Sequence, residues 1–164
     1  MRGGGAGSWG VIVSTTFRTF PTFDAVRHSA VVVVNNTDQV AQLTTLHAKH
    51  IFDPDDLHPG QYFSWSPTSP NFTLSVNTYF PNATITDAMV ALAPFFDGVT
   101  ALGITPTISS QLMDINDLVG ASTADPGGFN AIIGSRLFPS PTYENNATEI
   151  GQVTKQLLDE GAAQ

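Results

Sequence analysis

Apolar residues recur along this chain in two periods, and the places where one gives way to the other mark its elements. The run Val11 to Arg18 is β-branched and aromatic and predicts a strand fed by a glycine-rich loop. His28 to Asn35 predicts a second strand, whose consecutive valines, Val31 to Val34, imply a place well inside a sheet with both faces at least partly covered. From Asp38 the period becomes helical, with Val40, Leu43, Leu46, His47 and Ile51 on one stripe, Asp38 as N-cap and Asp53-Pro54 as the stop. Strand patterning returns at Gln61 to Ser66 and at Phe72 to Phe80. In the latter, Phe72, Leu74, Val76, Thr78 and Phe80 point to one face and Thr73, Ser75, Asn77 and Tyr79 to the other.

Thr86 to Gly103 predicts a helix interrupted at Pro94 and stopped by Gly103. Thr105 to Met113 alternates as a strand, the Gly/Ser/Asp-rich stretch from Gly120 to Gly128 reads as a loop, and Phe129 to Phe138 predicts another strand. A last helix is expected from Asn146, which stands three residues before Glu149 as in a capping box, to about Gly161. The short Ser/Pro-rich connection between Gln61–Ser66 and Phe72–Phe80 makes those two strands a hairpin or close neighbours, while helices link the rest. The expected class is α+β: a mostly antiparallel sheet with helices packed on one face. The other, polar face must then meet water, a ligand or another domain.

At 164 residues the chain has room for one main core, and 41% hydrophobic against 12% charged residues is the make-up of an ordered protein. Fourteen acids against six scattered bases give a net charge of −8, which argues against nucleic acid and against anionic membrane as partners. No apolar run approaches the roughly 18 residues of a membrane span. Cysteine is absent, so thiolate catalysis, disulfides and cysteine metal sites are excluded for this chain. Asn35, Asn71, Asn82 and Asn146 each begin an Asn-x-Thr acceptor pattern, which points to the secretory pathway; Met1-Arg2 and its glycine run carry no signal peptide, so a secretion signal is expected outside this chain.

Three sets of residues carry candidate chemistry. Gly3, Gly4, Gly5, Gly7 and Gly10 would let a phosphate-bearing cofactor approach backbone N–H groups, although the loop enters a strand and so is neither a Rossmann nor a P-loop motif; a flexible leader or tight turn is the other reading. His47 and His50 have the spacing of a metal clamp near Asp53, Asp55, Asp56 and His58, but His47 lies on the apolar stripe and no His-Glu-x-x-His pattern is present, so no metal is expected. Tyr62, Trp65, Tyr79, Asn77 and Gln111 could line a flat organic ligand or form an ordinary solvated sheet face.

The stretch Arg2-Gly3-Gly4-Gly5-Ala6-Gly7-Ser8-Trp9-Gly10-Val11-Ile12-Val13-Ser14, continuing to Phe17-Arg18-Thr19-Phe20-Pro21, resembles the end of the FAD-binding domain of berberine-bridge-enzyme-like oxidoreductases. Pro94, Leu102-Gly103-Ile104 and Ser135-Arg136-Leu137 look like the substrate domain of fungal members, in the same order. The resemblance implies residues 1–21 as the end of a FAD-binding domain, including its last strand, and 22–164 as a substrate domain lacking its C-terminal segment. It implies FAD as cofactor, with Gly3, Gly4, Gly5, Gly7, Ser8, Gly10, Val11 and Ile12 on the cofactor side; Ala6 departs from the usual glycine. It further implies that the polar sheet face roofs the flavin ring, with Tyr79, Asn77 and Gln111 on the substrate side.

The function implied is that of a secreted oxidoreductase passing a hydride from a small alcohol, carbohydrate or secondary metabolite to flavin, with oxygen as acceptor. The catalytic base is not identified, and the chain by itself is expected to be inactive. The alternative is a secreted glycoprotein or decayed oxidase that uses the same face only for binding.

Overall fold

The structure is a computed structural model and describes residues 13–120 and 137–161. Strand β1 (Asp24–Val34) is followed by helix α1 (Thr37–His50), the hairpin β2 (Gly60–Thr68) and β3 (Asn71–Pro81), helix α2 (Ile85–Ala101), and strand β4 (Thr107–Asp114). Three further helices, α3 (Ile115–Gly120), α4 (Ser140–Asn145) and α5 (Ala147–Asp159), complete the described chain. The four strands form one sheet in the order β2-β3-β1-β4, and each neighbouring pair is antiparallel. Each of the connections β1-α1-β2 and β3-α2-β4 therefore leaves a gap that another strand fills, the split βαβ arrangement of ferredoxin-like folds. The expected α+β class, an antiparallel sheet with helices on one face, is the fold observed.

Alternation along β1 and β3 divides the sheet into a helix-covered face and one that the described residues leave uncovered. Val26, Ala30, Val32 and Val34 of β1 and Leu74, Val76 and Phe80 of β3 are buried beneath the helices with Val40 and Leu43 of α1 and Leu92, Phe95, Phe96 and Val99 of α2. Each large side chain so buried contributes about 1.5–3 kcal/mol. The valine run of β1 does not behave as expected: Val32 and Val34 are buried, but Val31 and Val33 are 41% and 56% exposed. β1 is central, between β3 and β4, yet among the described residues the helices cover only one face, Ala25 being the one buried residue of β1 on the other.

Several ends were legible and several were not. α2 ends in a Schellman motif, where Gly103 takes φ +75°, its N–H donates to Thr100 O (2.9 Å), and Ile104 N–H donates to Val99 O (3.3 Å). α1 is capped by Asn36, whose side chain accepts from Gln39 N–H at 2.9 Å, so the expected cap Asp38 lies inside the first turn, where it complements the helix dipole. The expected break at Pro94 does not occur. The carbonyl that the proline leaves without a donor belongs to Val90, which is exposed on the solvent side of α2, so that carbonyl need not go unpaired in water.

The expected Asn146–Glu149 capping box is also absent: α4 runs straight into α5, and Asn146, whose N–H donates to Thr142 O at 3.0 Å, closes one helix as it opens the next. The shared backbone (φ −133°, ψ 36°) lacks the extended geometry that aims a capping side chain. Of the strand expected at Val11 to Arg18, Val13 to Arg18 carry no strand, because a β-branched run becomes one only against a neighbour, and none of the described residues pairs with it. Val11 and Ile12 lie outside the described residues, as does most of the strand expected at Phe129 to Phe138; its last two residues, Leu137 and Phe138, are not in a strand.

Candidate functional site

The uncovered face is built row by row from the strand register. Gly60, Tyr79, Arg27 and Gln111 make one row across β2, β3, β1 and β4; Tyr62, Asn77, Ser29 and Ser109 make the next; Ser64, Ser75, Val31 and Thr107 the third. The sequence-predicted residues Tyr79, Asn77 and Gln111 therefore do come together, in adjacent rows of a single surface. Tyr62, 72% exposed, meets Tyr79 edge-on with ring centroids 6.4 Å apart. Ser29 Oγ donates to Asn77 Oδ1 at 2.8 Å, which fixes the amide orientation and leaves its two N–H groups to point elsewhere.

None of these row positions carries an acid, although the chain has fourteen, and Arg27 is the only formal charge among them. The surface is thus broad, polar without negative charge, and aromatic at one side. Such a surface suits an uncharged or electron-rich planar group, stacked on rings and held by amides and hydroxyls.

Trp65 is not part of it. One residue out of step with Tyr62 and Ser64, it faces the helices, where its indole N–H donates to Thr44 Oγ1 at 3.0 Å. On that side His47 stacks on Phe63 (3.8 Å between centroids) and shares a short hydrogen bond with Gln61, whose amide N–H donates in turn to Thr78 Oγ1 at 2.8 Å. Burial holds His47 below the ordinary imidazole range, opposed by the Gln61 hydrogen bond. His50 instead pairs with Asp53 at 2.6 Å, so the two histidines are engaged separately, and among the described residues no three metal-ligating side chains come together.

His28 lies on the covered face too, 2% exposed, with Nδ1 2.9 Å from Ser110 Oγ, its ring beside Phe96 and burial lowering its pKa. Also on the helix side is a cavity of about 620 Å³ between α1, β2 and the α4–α5 pair, lined by Phe63, Trp65, Tyr143 and Ile150 among others. Its walls are largely apolar; His47 is paired with Gln61 and Trp65 with Thr44, and Asn146 and Glu149 are among its other polar lining residues. The acid-free, hydroxyl- and amide-rich face is the better candidate for recognition.

The expected cofactor-side residues Gly3, Gly4, Gly5, Gly7, Ser8, Gly10, Val11 and Ile12 all lie outside the described residues. Sequence reasoning missed Arg27, because it began the strand at His28 rather than Asp24; parity counted back from Val31 and Val33 through Ser29 places Arg27 on the open face. The four acceptor asparagines are accessible: Asn35, Asn82 and Asn146 are exposed and Asn71 is half-buried at the start of β3. Among the described residues no helix is long and apolar enough to cross a membrane.

No family model matches the chain. No curated protein matches it significantly either. Solved structures do: the VAO-type flavoprotein MtVAO713 from Myceliophthora thermophila C1 is similar at TM-score 0.66 and 16% identity, over 82% of this chain and 26% of that one. A second VAO-type flavoprotein from the same organism, MtVAO615, solved at pH 5.0, is similar at TM-score 0.60 and 15% identity, over 83% of this chain and 25% of that one. The class defined is thus one of fold: the chain shares the α+β architecture of a portion of VAO-type flavoproteins and spans about a quarter of their length.

Proposed function

We propose that this chain is the substrate-domain portion of an FAD-dependent oxidoreductase of the VAO type, and within that type of the berberine-bridge-enzyme-like kind. The observation that carries the reading is the coincidence of that fold with a sheet whose one uncovered face collects Tyr62, Tyr79, Asn77 and Gln111 and no acid. The face fits a planar ring system: it is broad, carries no negative charge to repel the electron-rich ring, and offers aromatic edges beside amide donors.

FAD, when bound, accepts a hydride from the substrate. The chain's own residues do the rest of what is assigned here. Gly3, Gly4, Gly5, Gly7, Ser8, Gly10, Val11 and Ile12 hold the cofactor through their backbone, in a division with residues 1–21 closing the FAD-binding domain and 22–164 forming the substrate domain. Tyr79, Asn77 and Gln111 orient a small alcohol, carbohydrate or secondary metabolite, and the covering sheet excludes water. Secretion is supported by the accessible asparagines Asn35, Asn71, Asn82 and Asn146, and oxygen is the acceptor that fits a secreted oxidase.

The test is the absorbance spectrum of the native protein that contains this chain, purified from its source and identified by its peptides. A flavin band near roughly 450 nm that bleaches when substrate is added without oxygen supports the reading. A colourless protein overturns it and leaves a binding glycoprotein.

A further inference from the structure

Arg27 stands on the inner strand β1 of the uncovered face, opposite Tyr79 on β3 and Gln111 on β4 in the row where β2 begins, and nothing in a neutral alcohol oxidation calls for a cation there. It is exposed, and among the described residues it forms no ion pair or side-chain hydrogen bond. In a chain of net charge −8, chance mixing of surface charge would set acids around such a residue; its own row and the next carry tyrosines, amides and hydroxyls, the row on its other side is Ala25, Pro81 and Met113, and none of the three holds an acid. A guanidinium left without a carboxylate among the described residues, on a surface that a ligand covers, finds its counter-charge in that ligand, since burying it unpaired is costly.

We infer that Arg27 is the anion-recognising residue of this face and that the substrate bears a carboxylate; this rests on the oxidoreductase reading above and narrows its substrate to acids of planar or aromatic character. The geometry favours that class. Adjacent strands lie about 4.8 Å apart, so a ring over Tyr79 with Tyr62 at its edge sets a carboxylate one strand spacing away, over Arg27. The guanidinium fork matches both carboxylate oxygens, whereas a lysine would offer a point charge. Asn77, its amide turned by Ser29, and Gln111 supply the neutral donors on either side. Arg27 would set specificity and position; it is given no proton to move.

The experiment is a nuclear magnetic resonance titration of the full, isotope-labelled chain with benzoate and, separately, with its neutral isostere benzamide. The expected result is movement of the Arg27 Nε–H and of the Tyr62 and Tyr79 rings with benzoate, and affinity for benzamide lower by at least about tenfold. Arg27→Gln removes the discrimination, and Arg27→Lys restores it in part. Since residue 27 is exposed, circular dichroism of the variants should match the parent, which separates lost recognition from lost fold. Equal affinity for the two probes, no movement on this face, or an unchanged preference in Arg27→Gln overturns the inference. The oxidoreductase reading fails on a different measurement, the absence of flavin from the native protein, so the two failures are told apart.

Discussion

Gly151 on α5 faces α1 so closely that a single added methyl group should reverse the usual effect of a glycine-to-alanine change. In an open helix interior Gly→Ala stabilises by about 1 kcal/mol. Here the added Cβ would press on Thr45 Oγ1 and sit 2.5 Å from the carbonyl oxygen of Ala41. Thr45 can rotate away, but the Ala41 carbonyl belongs to the α1 backbone, so α5 itself must retreat by several tenths of an ångström. Overpacking of that kind costs about 1–3 kcal/mol. The retreat also loosens Ala147 and Leu158, both buried, and the 2.8 Å bond from Lys155 Nζ to Thr37 Oγ1.

The net expectation for Gly151→Ala is destabilisation by up to about 2 kcal/mol, or as much as roughly 8 °C in Tm for a domain of this size. Gly98→Ala is the internal control: its Cβ would fall 2.7 Å from both Leu46 methyl carbons, the movable end of a side chain, and should cost less. Urea unfolding followed by circular dichroism measures both. A Gly151→Ala variant more stable than the parent would refute the packing of α5 on α1.

Acid should weaken the fold through His28 and His47. Burial depresses both imidazole pKa values below the unfolded 6.5, so on acidification through 6.5 the unfolded chain takes up protons that the folded one refuses, and stability falls as pH falls, by at most about 1.4 kcal/mol per pH unit for each residue. Urea midpoints between pH 7.5 and 5 check the sign, and His28→Leu should flatten the slope; a midpoint that rises toward pH 5 would contradict the burial of both rings. Trp65→Phe should cost about 1–3 kcal/mol by leaving the buried Thr44 hydroxyl without a partner, while Tyr62→Phe on the opposite face stays within about 0.5 kcal/mol. Equal costs in the same unfolding assay would mean that the parity of β2 is wrongly assigned.

What could be read from the sequence follows from which forces are local. The faces of Phe72 to Phe80, the β2–β3 hairpin and the Gly103 stop were legible because alternation, loop length and positive φ are set by residues near in sequence. Sheet order was not, since the pairing of β1 with both β3 and β4 depends on helices that carry the chain across the sheet. Trp65 and Arg27 show how a single parity decides a site. Trp65, one position out of step with Tyr62, went to the helix side, and Arg27, two before Ser29, joined Tyr79 and Gln111. The helices α3 and α4 carry no periodic signal because six residues are too few to show one.

In the function proposed above, the uncovered face of this sheet covers a flavin ring. The most direct measurement is a titration of the isotope-labelled full chain with FAD, observing the side chains of Tyr62, Tyr79, Asn77 and Gln111 together with the Trp65 indole on the helix side. Shifts confined to the first four are expected. Shifts at Trp65 with the open face unmoved would contradict it, as would a face that ignores FAD at millimolar concentration.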